Sequence, residues 1–299
     1  MNLAFAIYKK NIMNQLKLFI ELTRLKKPIG YMLLFWPCAW GLTLAYDFSN
    51  NLNNYFFYLI LFFLGAVLMR SAGCIVNDIL DQKFDKKVSR TKDRPIASGQ
   101  ISVKLSIVYV LVLCFSALLV LLNFNTITII LALGSMPLAF TYPLMKRFTY
   151  WPQLFLGITF NYGLLLGWTS IYGDLNILPI IFYIGSIFWT LGYDTIYGFQ
   201  DIKDDEIIGL KSTSIKFKKK PHNFLLSCYL ILFSMIITVG ILENFNIFYY
   251  AFSLIIGYHL FLYQLKSVDL NNPMNCLKFF KSNNLLGFLV FIQLLISKI

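Results

Sequence analysis

Long apolar stretches alternate with short polar ones from residue 29 to the end of the chain. Windows of about 19 residues, matched to the thickness of a bilayer's hydrocarbon core, place apolar segments near Ile29 to Tyr46, Tyr55 to Val76, Val103 to Leu122, Thr126 to Thr141 and Trp151 to Ser170. Four more fall near Ile177 to Tyr193, Phe224 to Leu242, Ile247 to Leu265 and Leu285 to Ser297. This pattern predicts an all-α fold, a polytopic membrane helix bundle of about nine transmembrane helices. Met1 to Pro28 mixes basic with apolar residues and lacks a small-residue cleavage site, so it reads as an amphipathic lead-in at the membrane surface and not as a cleavable signal.

Composition narrows the picture further. The 299 residues are 58% hydrophobic and 13% charged, with mean hydropathy +0.67, which excludes a soluble globule of ordinary make-up. Nine spans of about 20 residues use most of the chain, so residues 1–299 are expected to form a single membrane-embedded domain. The five cysteines (Cys38, Cys74, Cys114, Cys228 and Cys276) are scattered without a C-x-x-C pattern, which suggests neither a disulfide framework nor a zinc site. With only His222 and His259, a histidine-based metal site or triad is poorly supported. His259, alone in the eighth span, reads as a hydrogen-bonded packing residue. Gly163 and Gly167 form a small-xxx-small pair that reads as a helix contact.

Charge sets the expected sidedness. Counting Lys104, at the edge of the third span, with the loop before it, every Lys and Arg except Arg70 and Lys298 lies before the first span or in a loop that follows an even-numbered one. Loops rich in these residues stay on the cytoplasmic side, which predicts a cytoplasmic N-terminus and an outside C-terminus. The net charge of +12 is then chiefly a topology signal. Lys218 to Lys220 reads as a contact for anionic lipid, with no nucleic acid implied.

The acidic residues carry the chemistry. Nine of the 14 fall in two places: Asp78, Asp81, Asp85 and Asp93, then Asp194, Asp201, Asp204, Asp205 and Glu206. Each cluster begins at the C-terminal end of a span, and both loops belong to the basic set, so the two clusters can face each other at one membrane surface. Steps of three and four put Asp78, Asp81 and Asp85 on one helical face beside Asn77, and Asp194, Asp201 and Asp205 on another. Such stripes repel themselves unless a cation intervenes. All-oxygen ligands suit Mg²⁺, which takes one or two carboxylates plus phosphate oxygens, so the two stripes read as a diphosphate-binding site. Arg and Lys in the same loops, including Arg94 and Lys211, would hold the terminal phosphate. Arg70 lies about two turns deeper than Asn77 and is expected to face the acidic site or a polar cavity.

These residues resemble the intramembrane aromatic prenyltransferases, most closely the bacterial members that act on 4-hydroxybenzoate in ubiquinone synthesis. Asn77 to Asp85 fits N-D-x-x-D-x-x-x-D, followed by Arg90-Thr91 and Arg94-Pro95. Asp194 through Asp201 and Asp205 to Gly209, Lys211, Ser212 and Thr213 fits the second motif, with Tyr142 to Gln153 between them. With Arg24, Pro28 and Gly30, the similarity spans roughly residues 20–215; the last three spans are matched by hydropathy alone. Gln82 and Lys203 look atypical, the latter as a charge that would weaken the second cluster.

The resemblance implies a central cavity open to lipid, capped by cytoplasmic loops, in a bacterial inner membrane. It implies an Mg²⁺-dependent enzyme that moves a polyprenyl chain from polyprenyl diphosphate to the carbon ortho to the hydroxyl of 4-hydroxybenzoate, with no obligate protein partner. The catalytic candidates are Asp78, Asp81, Asp85, Asp194, Asp201 and Asp205, and the metal candidates Asn77, Asp81, Asp85, Asp201 and Asp205. Substrate contacts are expected from Arg24, Arg70, Asn77, Arg94, Tyr142, Lys146, Arg147 and Lys211, with Arg147 on the benzoate carboxylate and Lys146 on the diphosphate. Asp194 would orient the acceptor or assist proton loss. Naphthoate, homogentisate or haem are the alternative acceptors. A cation-coupled transporter of an anionic metabolite is the rival from another class, and an inactive scaffold a third reading.

Overall fold

In hydrocarbon a backbone must satisfy its own hydrogen bonds, so each apolar segment closes into a helix. A computed structural model describes residues 13–298, all helix and connecting turns with no strand among the described residues. The nine long helices are α1 Ile29–Ala45, α2 Leu52–Leu80, α3 Val103–Leu121, α4 Thr126–Thr141, α5 Pro152–Tyr172, α6 Ile177–Gly198, α7 Pro221–Leu242, α8 Ile247–Leu265 and α9 Pro273–Lys298. All but α1 are long and apolar enough to cross a membrane, α4 together with the turns that extend it to Phe148. The lead-in is described from residue 13 and is helical through residue 22; residues 1–12 lie outside the described ones.

Local chemistry sets the helix ends. The side chains of Asn51, Ser102, Asn125, Asn176 and Asn246 accept from backbone N–H groups in the first turns of α2, α3, α4, α6 and α8, as N-caps do. Pro152 and Pro221 stand at the starts of α5 and α7, where a missing N–H is harmless. Gly173 ends α5 with φ 70°, a left-handed conformation that suits glycine.

Helix α1, at 17 residues, is buried along most of its length. It packs on α5 and also meets α2 and α9, while α6 joins α5 to α7 and α3 lies against α2. Close approach of α1 and α5 depends on small residues. A Cβ at Gly41 would overlap the Leu164 carbonyl, one at Gly163 the Cys38 thiol, and one at Gly167 the backbone of Cys38 and Leu42. The small-xxx-small pair is thus a helix contact, as expected. On α3 and α4, Leu111, Val112, Phe115, Ile130 and Leu133 point outward, as a lipid-facing surface requires.

The apolar interior also holds a polar network. Asn283 Oδ1 accepts from Trp189 Nε1 at 2.8 Å and Gln264 Nε2 at 3.0 Å. Gln264 Oε1 accepts from the Tyr229 hydroxyl at 2.6 Å, and its amide meets His259 Nε2 at 3.0 Å. His259 is therefore a hydrogen-bonded packing residue, seated where α8 continues as a π-helix over Tyr258–Leu265. Asn283→Ala would strand the Trp189 and Gln264 donors. Thermal unfolding in detergent is expected to show about 1–3 kcal/mol lost; an unchanged midpoint would remove the network from the forces that join α6, α8 and α9.

Three ends differ most from the hydropathy reading. Helices α2 and α6 run on to Leu80 and Gly198, carrying Asp78 and Asp194 inside helices. Helix α9 begins twelve residues before Leu285, through the polar stretch Asn275 to Asn284. Asn283 and Asn284 are tolerated because each meets a buried tryptophan: Asn284 accepts from Trp36 Nε1 at 2.9 Å, Asn283 from Trp189; Asn275, near the helix start, accepts from the Asp269 N–H.

Candidate active site

The loops after α2, α4 and α6 meet at one end of the bundle. Helix α2 stops at Asp81, whose backbone (φ −94°, ψ 3°) leaves the helical range before a short helix, Gln82–Asp85. Bonds from the N–H of Asp81 to Asn77 O and from the N–H of Asp85 to Asp81 O preserve the four-residue step across that break, so Asn77, Asp78, Asp81 and Asp85 still face the same side and line one cavity. The second stripe is not one continuous helix: α6 ends at Gly198 and Asp201 caps the separate helix Ile202–Ile207. Asp194, Asp201 and Asp205 nevertheless line the same cavity, of about 1280 Å³, with Arg24, Arg70, Arg94, Tyr142, Lys146 and Lys211.

Within it Asp78, Asp81, Asp85 and Asp201 are matched by the chain's own cations. Asp78 Oδ1 accepts from Arg24 Nη2 and, at 3.0 Å, from Arg94 Nη1, which also donates to Asp85 Oδ2 at 2.9 Å. Lys146 Nζ donates to Asp81 Oδ2. Arg90 grips Asp201 through Nε, at 2.9 and 3.0 Å to the two oxygens, and through Nη2, and reaches the Tyr197 hydroxyl at 3.2 Å. Lys211 is held by its N–H donating to Lys146 O at 2.8 Å and by Nζ donating to Phe148 O at 3.2 Å. Such charge-assisted bonds between loops distant in sequence fix the rim's shape.

One carboxylate oxygen remains buried without a partner, and two further carboxyls are perturbed by burial. Asp81, 1% exposed, has an Oδ1 with no hydrogen-bond partner, 3.6 Å from Arg147 Nη2. Burial pushes the Asp205 carboxyl up to about 6; the charge of Asp201 adds to this, against Lys146 and Arg90. Burial also lifts Asp85 above the usual carboxylate range, opposed by Arg94. Asn77 makes no side-chain hydrogen bond among the described residues, and no three Asp, Glu, His or Cys side chains there already converge as a metal cluster. The donors are of the right kind for a hard cation: oxygen atoms, crowded by like charge, one of them, Asp81 Oδ1, buried without a hydrogen bond.

Several expectations are refined by this geometry. Arg147 does not line the cavity; it donates to Leu80 O at 2.6 Å and lies over the Phe84 ring at 5.1 Å. Lys203 is exposed and away from the cavity wall, which leaves the second cluster's charge intact. Gln82 donates to Ile96 O at 3.2 Å, a loop-bracing role. Arg90, which ties the two acidic loops together, was visible in the sequence as part of Arg90-Thr91, but nothing in that dipeptide says which aspartate it meets.

Fold and site together define a polytopic, all-helical membrane protein with a cavity for an anionic group at one end of its bundle and apolar walls beneath. The chain belongs to the UbiA prenyltransferase family, whose sequence model matches residues 34–292. It is 42% identical to the mitochondrial 4-hydroxybenzoate polyprenyltransferase of Dictyostelium discoideum over 96% of this chain and 62% of that protein. Its identity to the protein of the same name from Bos taurus is 43%, over 94% of this chain and 75% of that one. The chain thus spans 62% to 75% of the length of these relatives. A UbiA homolog from Archaeoglobus fulgidus, solved bound to GPP and Mg²⁺, superposes with a TM-score of 0.66 at 17% identity, covering 94% of this chain and 99% of that one, and shares the fold.

These relatives correct the expected location. A bacterial inner membrane conflicts with relatives at 42–43% identity that are mitochondrial. The reason is physical: hydropathy and loop charge report a span's length and sidedness, never which membrane supplies the hydrocarbon.

Proposed function

We propose that this chain transfers a polyprenyl chain from polyprenyl diphosphate to the ring carbon ortho to the hydroxyl of 4-hydroxybenzoate, a step toward ubiquinone, acting as one membrane-embedded domain. The observation that carries this reading is the convergence of both aspartate motifs and the cations Arg24, Arg90, Arg94 and Lys146 on one cavity, in a chain more than 40% identical to relatives of that name.

Asn77, Asp81 and Asp85 on one side and Asp201 and Asp205 on the other would hold Mg²⁺. The Mg²⁺ bound with GPP in the archaeal homolog supports a divalent ion here. When bound, it supplies charge neutralisation and Lewis-acid polarisation of the diphosphate. The protein's own part is preorganisation: Lys146, Arg94 and Lys211 present fixed positive charge where the leaving diphosphate gains negative charge. Asp78, clamped between Arg24 and Arg94, positions those two guanidiniums. The allylic C–O bond breaks with its electron pair leaving on diphosphate, and the aromatic ring supplies the pair for the new C–C bond. The ring proton then passes to the Asp194 carboxylate, which lines the cavity and forms no ion pair among the described residues.

The test is transfer by the purified protein in liposomes, with labelled polyprenyl diphosphate and 4-hydroxybenzoate. Product is expected with Mg²⁺, with loss to background on chelation and recovery on adding the ion back. Product with a different aromatic and none with 4-hydroxybenzoate would overturn the acceptor; no product with any acceptor would overturn the transferase.

A further inference from the structure

Gln153 closes the Tyr142 to Gln153 stretch, stands in the first turn of α5 and lines the cavity while only 6% exposed. A buried amide needs partners at both of its ends. Its Oε1 has one, accepting from the Thr213 N–H at 3.0 Å. A backbone N–H can only donate, so the oxygen must face Thr213 and Nε2 must face the other way. That nitrogen donates to no group among the described residues, yet protein does not wall it off from the cavity.

The oxygen end is anchored on a fastened loop. The hydroxyls of Thr213 and Thr195 share a hydrogen bond at 2.6 Å, and Ser214 Oγ donates to Thr195 O at 2.8 Å; all three residues are fully buried. The nitrogen end lies against the end of α6, where a Cβ at Gly198 would stand 3.5 Å from it. Gly198 is one helical turn, about 6 Å, beyond Asp194, and it precedes Asp201 by three residues. On α5 itself, Leu156 and Phe160 follow on the same face and line the cavity below. The result is a fixed, neutral N–H donor above an apolar wall, between Asp194 and the second acidic motif.

We infer that Gln153 Nε2 donates to the hydroxyl oxygen of the aromatic acceptor and so selects a hydroxyl over an amine at that ring position; this rests on the transfer reaction proposed above. The attacked carbon is next to the carbon that bears the hydroxyl. The group that holds the oxygen must therefore stand beside the group that takes the ring proton, and Gln153 stands about one turn above Asp194. The charge of the diphosphate is met by Lys146, Arg94 and Lys211, whereas a neutral amide suits the weakly charged oxygen of a phenol. A phenol oxygen accepts a hydrogen bond and still feeds electrons to the ring; an aniline nitrogen, its lone pair delocalised into the ring, accepts poorly. A site built to bond one substrate group rejects the analogue that lacks it, because the site's own buried polar group is left unpaired.

The test measures transfer to 4-hydroxybenzoate and to 4-aminobenzoate by the wild type, Gln153→Glu and Gln153→Met, varying each substrate while the other is saturating. Wild-type transfer to 4-hydroxybenzoate comes first; its absence would overturn the proposed function and, with it, this assignment. Given that activity, equal use of the two acceptors by the wild type would already overturn the selection, whatever the variants do. Gln153→Glu keeps an oxygen for the Thr213 N–H and puts a second oxygen in place of the donor; Gln153→Met removes both. In each, the ratio of kcat/KM for 4-hydroxybenzoate to that for 4-aminobenzoate is expected to fall about tenfold, the weight of one hydrogen bond, with the KM for polyprenyl diphosphate near its wild-type value. The fall should be larger in Gln153→Glu, whose carboxylate accepts from the amine. A residue that only braced the loop would lower both activities alike and leave the ratio in place. If Gln153→Glu does not fold, Gln153→Met decides. An unchanged ratio in a folded variant, or a rise confined to the KM for polyprenyl diphosphate, would overturn the assignment to Gln153 while leaving the transferase standing.

Discussion

Asp81→Ala and Asp201→Ala are each expected to abolish prenyl transfer, with the rate falling about a thousandfold or more, while folded protein stays in the membrane. A single preorganised electrostatic group commonly contributes a factor of about 10²–10³, and each of these aspartates serves two partners at once. Asp81 ends α2, pairs with Lys146 through Oδ2 and leaves Oδ1 buried without a hydrogen bond. Asp201 starts the Ile202–Ile207 helix and receives the Arg90 fork. Removing either carboxylate takes an oxygen ligand from the proposed ion and leaves a basic residue unpaired. The Asn variants at both positions keep shape and remove charge, so they separate electrostatics from packing. The assay is product formation at saturating substrates beside size-exclusion profiles of each variant. Near-normal transfer in a variant would remove that residue from the site.

Gly167→Leu is expected to prevent folding, and Gly41→Leu likewise, because α1 and α5 meet backbone to backbone at these positions. A Cβ at Gly167 would already overlap the Cys38 carbonyl and the Leu42 N–H, and one at Gly41 the Leu164 carbonyl. A flexible side chain can swing aside; two helix backbones can only separate, and the contact they would lose is the most extensive in the bundle. Overpacking typically costs about 1–3 kcal/mol, and a clash that no rotamer relieves belongs with the exceptional losses above about 4 kcal/mol. Gly65 and Gly134 are the contrast, with nothing within 4 Å of an added Cβ. Alanine there should be neutral or slightly stabilising, since glycine in a helix interior loses about 0.5–1 kcal/mol relative to alanine. Yield of monodisperse protein in detergent distinguishes the two sets; equal yields would remove the α1–α5 contact from the determinants of folding.

Much of the architecture was legible along the chain because lipid imposes so strict a rule on backbone and side chain. The starts of α1, α3, α4, α6 and α8 coincide with those of their apolar segments. The start of α9 was hidden because Asn283 and Asn284 look like loop residues until Trp189 and Trp36 are placed beside them. The first acidic motif was legible as well, since its spacing of three and four survives the local break at Asp81 through the i to i+4 backbone bonds on either side of it, whereas the second runs over a true helix end between Gly198 and Asp201. What spacing did not convey was partnership. Lys146 and Arg147 are neighbours in sequence, yet one lines the cavity and the other turns to Leu80 O and Phe84.

The sequence by itself determined that the chain is a helical membrane protein, where its spans run, that its carboxylates gather at one surface, and which family its motifs resemble. These are local properties, set by hydropathy over a helix length and by charge within a turn or two. Tertiary structure alone decided that both motifs share one cavity, that Arg90 fastens Asp201 and Lys146 meets Asp81, and that Arg70 is left with a buried, unpartnered nitrogen. Those facts join residues from about 60 to more than 100 positions apart. They depend on how closely α1 and α5 approach and on where α2 and α6 stop, distances that no single helix encodes.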